Sequence, residues 1–167
     1  DNIENVSSLL RDSEYRQNFF LFLGSTISNF EFNEVMYEVV EGINSGEDYL
    51  LLGVALSNAK PADIIKSYRH SVNDHFFSLV LLQLGFNKED IEMDVRYKNS
   101  RVELFYTIKN DRKITFGDKS IYFAKGDQIL IGLSYRYNEK ELRNALKLYF
   151  NNCKFYFNKD KSWALAL

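Results

Sequence analysis

The chain contains few of the residues that cross-link a fold or break its regular elements. Among its 167 residues are one cysteine, one proline and eight glycines. The lone cysteine, Cys153, excludes an internal disulfide, which fits a reducing compartment, and we expect a cytoplasmic protein. Because the sequence identifies no histidine or basic pocket beside Cys153, a buried and inert thiol is expected.

Net charge is also small, since 21 basic and 23 acidic residues are spread along the chain. No basic patch suited to nucleic acid or to an anionic membrane stands out. No apolar run approaches the roughly 20 residues of a membrane span, and the first four residues are too polar for a secretory signal. We therefore expect neither a nucleic-acid partner nor a membrane partner.

Histidine is scarce as well, and the sequence predicts no metal site. His70 and His75 are five residues apart, which places them on different faces of a helix. No cysteine or carboxylate cluster completes a tetrahedral set of ligands around them.

What the chain does have is apolar and aromatic residues, including 14 phenylalanines and 11 tyrosines, in patterns that predict an α/β fold. Continuous apolar runs at residues 19–23 and 49–54 are typical of parallel strands covered on both faces, and helical spacing over 32–43 joins them as a β-α-β unit. Pro61 opens a second helical stretch that ends at Gly85.

The pattern changes after Asn87. Short alternating segments over residues 91–133, separated by turn dipeptides, predict an antiparallel meander. Asn138 and Glu141 then have the spacing of a capping box, which predicts the start of a helix, and a terminal hairpin follows it.

The polar residues 24–29 (GSTISN) directly follow the first apolar strand. In an open α/β sheet, ligands bind outside the carboxyl ends of the strands, so these residues are a candidate binding loop. The alternative is an ordinary turn, in which Gly24 supplies a free backbone angle and Asn29 or Thr26 caps the next helix. Both interpretations fit the residue types.

Four segments resemble those of a known family in the same order along the chain. LFLGSTISNF (residues 21–30) resembles "LFLGSTIGNF" of the S-adenosylmethionine (SAM)-dependent histidine N-alpha-methyltransferases, known from ergothioneine biosynthesis. DYLLLG (48–53), RVEL (101–104) and ILIGLSYRY (129–137) resemble the family's "GDxLLLG", "RIEMHL" and "IHTENSYKY". The resemblance covers residues 17–167 and identifies the chain as a divergent member.

The resemblance implies the C-terminal half of a Rossmann-like methyltransferase sheet. Residues 1–60 and 134–167 would form that partial domain, and residues 61–133 an inserted α+β antiparallel substrate-binding domain. In the family, a glycine-rich loop upstream of "LFLGSTIGNF" holds the cofactor, and no such glycine cluster follows an early strand here. SAM is therefore expected in the intact form, with weak or no binding by this chain alone.

The resemblance also implies substrate contacts at Gly24, Asn29, Tyr68 and Ser134. Asn29 would bind the carboxylate or ammonium group of an amino-acid substrate, and Ser134 matches a serine that contacts the imidazole. The alternatives are a helix cap for Asn29, a core aromatic for Tyr68 and a strand hydroxyl for Ser134. Catalytic residues stay unassigned, because methyl transfer needs little beyond positioning and an unprotonated acceptor.

Two departures from the family pattern point away from histidine as the substrate. Gly132 stands where "TENSYKY" has its glutamate, and Ala55 where family members have the aspartate of "TDL". A site without these acids favours an apolar or aromatic amine. A slip in strand register that brings Asp127 into the pocket is the alternative.

Two functional hypotheses follow. The first is a methyltransferase-related domain whose intact form methylates a small amine or amino acid other than histidine. The second is a degenerate, non-catalytic half that acts as a binding or interaction module. Because a half sheet exposes an apolar edge and face, we expect a homo-oligomer or a missing N-terminal half as partner.

Overall fold

The structure is a computed structural model that describes residues 17–43 and 46–167, with only the backbone described at Phe116. The polar first four residues lie outside this described part. The chain divides into two compact units, which we call the sheet unit (Asp1–Ala59 with Tyr135–Leu167) and the inserted unit (Lys60–Ser134).

The secondary structure alternates strands and helices in the sheet unit and is rich in strands in the inserted unit. In chain order the elements are β1 (Phe19–Phe22), a 3-10 helix (Thr26–Asn29), α1 (Phe32–Gly42), β2 (Tyr49–Ala55), α2 (Pro61–Tyr68), α3 (Ser71–Gln83), a 3-10 helix (Lys88–Asp90), β3 (Ile91–Lys98), β4 (Arg101–Ile108), β5 (Arg112–Phe116), β6 (Lys119–Phe123), β7 (Gln128–Tyr135), α4 (Glu139–Leu146), β8 (Phe155–Phe157) and β9 (Trp163–Ala166).

The sheet unit contains the predicted β-α-β unit, and the α/β class is confirmed. β1 and β2 are parallel and are joined through α1, while β9 runs antiparallel to β2 and β8 antiparallel to β9. The strand order is β1-β2-β9-β8. One face of this Rossmann-like sheet packs against α1 and α4. The buried residues of this core come from the two helices and from β2 and β9, and include Val35, Met36, Val39, Leu50, Leu52, Val54, Leu142, Leu146, Ala164 and Ala166.

The opposite face of this sheet, which we call the open face, is apolar and exposed. The strand register places six large side chains on it, each 42–57% exposed: Phe19, Leu21, Tyr49, Tyr156, Trp163 and Leu165. β1 is thus exposed on one face, as expected of a half sheet, although its continuous apolar run is typical of a strand covered on both faces. An apolar run records the chemistry of both faces of a strand but not which of them finds a partner.

The inserted unit departs from the predicted pattern in two places. The helical stretch from Pro61 to Gly85 is two helices, because the backbone at Arg69 leaves the helical region (φ −79°, ψ 50°) and the Asn73 side chain donates to the Tyr68 carbonyl at 2.8 Å. The strands do not form one meander either. β3, β4 and β7 form one sheet, and β5 and β6 form a separate hairpin.

A short backbone link explains why the hairpin stands apart. The amide of Ile108 donates to the Asp127 carbonyl at 2.9 Å, and the amide of Gly126 donates to the Ile108 carbonyl at 2.8 Å. These bonds bring the start of β7 beside the end of β4. The residues between them therefore form their own two-stranded sheet.

Glu103 of β4 is a buried carboxylate, only 4% exposed. It accepts hydrogen bonds from the Arg96 side chain of β3 and from Arg101 Nε, the latter at 2.8 Å. The hydrogen bond from Arg96, reinforced by Arg101, holds the pKa of the Glu103 carboxyl below its ordinary value although burial opposes this. The ionised group is therefore stabilised by folding.

We expect Glu103→Gln to lower the free energy of unfolding at neutral pH by about 1.5–3 kcal/mol, the usual contribution of hydrogen bonds to a charged group. Because the pKa is lower in the folded chain, this contribution is present above the pKa of the unfolded chain and is lost as pH falls through the folded value. Urea unfolding at several pH values measures it. Glu92→Gln, at an exposed position of β3, is the control, and equal effects of both variants would contradict the prediction.

Candidate functional site

The loop of residues 24–29, called the β1 loop below, is fixed to the carboxyl end of β2. Gly24 and Ser25 both have left-handed backbone conformations, with φ of 68° and 62°, and only glycine adopts this without strain. The Ser25 amide donates to the Gly53 carbonyl at 3.1 Å, and Ser25 Oγ accepts from the Ala55 amide at 3.0 Å. The serine hydroxyl thus bridges two parallel strands where both end.

Asn29 ends the 3-10 helix of the β1 loop with its side chain exposed. Within the described part of the chain, that side chain forms no hydrogen bond. The N-cap of α1 is Glu31, which makes no side-chain cap, while Thr26 Oγ1 donates to the Leu23 carbonyl at 2.7 Å. The interpretation of Asn29 or Thr26 as a cap of α1 is therefore wrong, and the Asn29 amide stays available at the carboxyl end of β1.

Tyr68 and Ser134 lie in the inserted unit and contact each other. The Tyr68 hydroxyl donates to Ser134 Oγ at 2.9 Å, joining the last residue of α2 to the buried serine of β7. Gly24 and Asn29, in contrast, belong to the sheet unit. The role of all four residues in substrate binding stays a prediction.

The surroundings of Gly132 are apolar. A Cβ atom at this position would lie 3.6 Å from Leu104 Cδ1 and 3.9 Å from Phe77 Cε1, which are ordinary contact distances. Ser134 follows two residues later on the same face of β7. Asp127 lies before β7, where its carboxylate accepts from the Ala124 amide at 2.8 Å and holds the turn.

The sequence analysis missed a cluster of Glu31, Tyr135 and Tyr137 in the sheet unit. The Tyr135 hydroxyl donates to Glu31 Oε1. The Tyr137 carbonyl accepts from the Ser57 amide at 2.9 Å, just past the carboxyl end of β2. Burial raises the pKa of the Tyr137 hydroxyl, and the nearby Glu31 charge raises it further. The sequence features that could have indicated this cluster are the two tyrosines of SYRY (residues 134–137) and the acid two residues after Asn29.

Two further features do not form a substrate site. A cavity of about 80 Å³ in the sheet unit is lined by Leu146, Phe150 and Cys153, among others, and none of the predicted substrate residues lines it. Cys153 is free and half-buried, and burial raises the pKa of its thiol. In residues 17–43 and 46–167, no three His, Cys, Asp or Glu side chains are grouped to hold a metal ion.

The helices in the described part of the chain include none that is long and apolar enough to cross a membrane. The longest of those described, α3, has 13 residues. This length is short of the roughly 20 residues that a transmembrane helix needs.

Residues 3–167 match the family of histidine-specific, SAM-dependent methyltransferases. The search of curated proteins gives no match. Two solved structures resemble the chain weakly. One is a SAM-dependent methyltransferase from Clostridium acetobutylicum ATCC 824, with 8% identity and a TM-score of 0.42 over 99% of this chain and 61% of that chain.

The other solved structure is DesVI from Streptomyces venezuelae, with 9% identity and a TM-score of 0.33 over 100% of this chain and 63% of that chain. The chain thus spans about three fifths of the length of each solved protein. The family match, in contrast, spans nearly every residue of the chain. The chain belongs to the family of histidine-specific, SAM-dependent methyltransferases.

Proposed function

We propose that the complete protein transfers a methyl group from SAM to the nitrogen of a small amine or amino acid other than histidine. The family match supports SAM as the methyl donor. The observation that carries the proposal is the hydrogen bond between Tyr68 and Ser134. These residues are 66 positions apart, and the resemblance implies that both contact the substrate.

The proposed substrate contacts divide by chemistry. The exposed Asn29 amide can both donate and accept hydrogen bonds, so it suits the carboxylate or the ammonium group of an amino acid. Gly24 leaves open space beside it, since a Cβ atom there would meet nothing within 4 Å. In the inserted unit, Tyr68 and Ser134 offer two linked hydroxyls that suit a polar group of a substrate.

The proposed preference for an apolar or aromatic amine comes from the surroundings of Gly132. At the position of the glutamate in the family motif "TENSYKY", this chain has Gly132. A side chain at this position would contact Leu104 and Phe77. Asp127, the other acid considered for this role, is used in the turn before β7. An imidazole would therefore lack its charged partner, whereas an apolar group would lie against apolar side chains.

The residues of this chain do not fit the cofactor by themselves. Gly24 is followed by serine, and the described part of the chain has no glycine-rich loop of the kind that lets a backbone approach a nucleotide. We therefore assign no residue of this chain to SAM. The cofactor contacts belong, in this proposal, to a separate glycine-rich half.

The chain of residues 1–167 alone is expected not to bind SAM more tightly than a dissociation constant of about 100 µM. Isothermal titration calorimetry measures this directly. A cooperative thermal unfolding transition of the same sample is the control that the chain is folded. A dissociation constant in the low micromolar range would contradict the proposal that the cofactor contacts lie elsewhere.

We also propose that the glycine-rich half covers the open face and extends the sheet beyond β1. Among the described strands, β1 lies at one edge of the sheet, and six large apolar side chains are exposed on the open face. Parallel strands normally have both faces covered. A homo-oligomer is the alternative occupant, and light scattering from the chain alone distinguishes the two.

The open face also favours the second hypothesis, a non-catalytic module that binds a protein partner through this surface. Methylation of any amine by the complete protein would exclude it. We further propose a cytoplasmic location, because Cys153 is free and half-buried and no other cysteine is available to pair with it. Since acidic and basic residues nearly balance, we propose no nucleic-acid or membrane partner.

A further inference from the structure

Glu31 is a carboxylate fixed next to the candidate substrate site of the sheet unit. It follows Asn29 by two residues and is exposed at the N-cap of α1. Its Oε1 atom accepts a hydrogen bond from the hydroxyl of Tyr135, which is 104 residues away in the sequence. A long-range bond of this kind holds the acid in place, unlike most exposed glutamates, whose side chains move freely in solvent.

The charge of Glu31 is not neutralised within the described part of the chain. Other fixed acids have cationic partners: Asp74 has Lys88, Asp94 has Arg69, and Glu103 has two arginines. Glu31 forms no ion pair with any described residue and bonds to a neutral hydroxyl instead. Among residues 17–43 and 46–167, its Oε2 atom thus has no cationic partner and can bind the cation of a ligand.

The surroundings of Glu31 suit an organic cation. The half-buried Tyr135 lies beside Glu31 through its hydroxyl, whereas the Phe32 and Tyr137 rings pack against each other in the core, with centroids 5.6 Å apart. Aromatic rings attract ammonium groups through their electron-rich faces. A fixed carboxylate beside the Tyr135 ring therefore favours a protonated or methylated amine over a neutral group.

We infer that Glu31 binds the substrate amine as its ammonium ion, and that Tyr135 positions the Glu31 carboxylate by the hydrogen bond to Oε1. The ammonium group then loses a proton to solvent before methyl transfer, which needs the neutral amine. This inference rests on the proposed function, because it takes the substrate to be an amine bound at the β1 loop. It adds a specificity residue that the family resemblance does not supply. A carboxylate at this position selects amines over alcohols and amides.

The competing explanation is structural: the bond between Tyr135 and Glu31 only fixes the β1 loop. A structural bond would affect the binding of every ligand equally. If the Glu31 charge recognises the ligand, its removal weakens the binding of cationic ligands only. The experiment must therefore compare a cationic probe with a neutral probe of the same shape.

Benzylammonium and benzyl alcohol are suitable probes, titrated into the ¹⁵N-labelled chain while the Asn29 side-chain amide is followed by NMR. Glu31→Gln is expected to weaken benzylammonium binding about 10-fold or more, as loss of a charge-assisted hydrogen bond does. Benzyl alcohol should bind the wild-type and variant chains equally. Tyr135→Phe should weaken only the cation, by a smaller factor.

The matched control is Glu34→Gln, which removes the same charge one turn further along α1. Glu34 is also exposed, and no hydrogen bond to Tyr135 involves it. Equal benzylammonium affinities for the Glu31 and Glu34 variants would overturn the inference, and so would absence of benzylammonium binding by the wild-type chain. Loss of binding for both probes in Glu31→Gln would show a structural role and overturn it as well.

Failure of this inference can be told apart from failure of the proposed function. If the complete protein methylates amines and Glu31→Gln leaves KM unchanged, the inference fails and the proposed function stands. If benzylammonium binds through Glu31 but the complete protein methylates no amine, the proposed function fails instead.

Discussion

Replacing Asn29 by alanine in the complete protein is expected to lower kcat/KM about 10- to 150-fold, the range for loss of a hydrogen bond to a charged group. Thermal stability should not change. The Asn29 side chain is exposed and forms no hydrogen bond within the described part of the chain, so its removal breaks no hydrogen bond there. Steady-state kinetics and a thermal unfolding curve test both halves of this prediction.

The control for Asn29→Ala is Asn33→Ala, which should give the opposite pattern. Asn33 Oδ1 accepts from the Tyr149 hydroxyl at 3.0 Å. Its loss should lower stability by about 0.5–1.5 kcal/mol, as loss of one neutral hydrogen bond does, and leave kcat/KM nearly unchanged. If Asn29→Ala reduced stability and left activity intact, Asn29 would be a structural residue after all.

Gly132→Glu in the complete protein is expected to raise kcat/KM for histidine about 10- to 150-fold, because the new carboxylate can form a charge-assisted hydrogen bond with the imidazole. The backbone permits the change, since the nearest atoms to a new Cβ lie at ordinary contact distances. Stability should fall by about 1–3 kcal/mol, because the acid enters a face beside Leu104, which is 3% exposed.

Gly132→Gln is the matched control for this gain, since it adds the same shape without the charge. It should lower stability in a similar way but leave histidine a poor substrate. Equal histidine activity in the Glu and Gln variants would contradict the assignment of position 132 to the imidazole. Efficient methylation of histidine by the unmodified protein would refute the proposed preference directly.

Local patterns in the sequence predicted most elements of the fold. The capping box of α4 is formed as expected, with Asn138 Oδ1 accepting from the Glu141 amide at 2.8 Å. The β-α-β unit of β1, α1 and β2 was also predicted correctly, because strand and helix periods are properties of neighbouring residues. The turn dipeptides marked the strands from β3 to β7 for the same reason.

Features that depend on distant residues were not predictable in this way. The break between α2 and α3 is accompanied by a hydrogen bond from the Asn73 side-chain amide to the Tyr68 backbone carbonyl, which the composition of this stretch does not predict. The exposed face of β1 depends on which layer covers the sheet. The bond between Tyr135 and Glu31 spans 104 residues, so neither residue signals the other in the sequence.

The candidate site shows the same division. The β1 loop was found from its position after an apolar strand, and the assignment of Tyr68 and Ser134 came only from the family resemblance. The 2.9 Å hydrogen bond between Tyr68 and Ser134 is a tertiary contact, and the local sequence around either residue does not predict it. The capping interpretation of Asn29 failed because side-chain type alone does not determine whether the chain turns at Asn29 or at Glu31.

The most direct test of the proposed function is transfer of a labelled methyl group from SAM by the complete protein to histidine and to a panel of apolar and aromatic amines. We expect methylation of at least one such amine, with kcat/KM about 10-fold or more above that for histidine. Methylation of histidine in preference to every amine, or no methylation of any acceptor by the folded complete protein, would contradict the account.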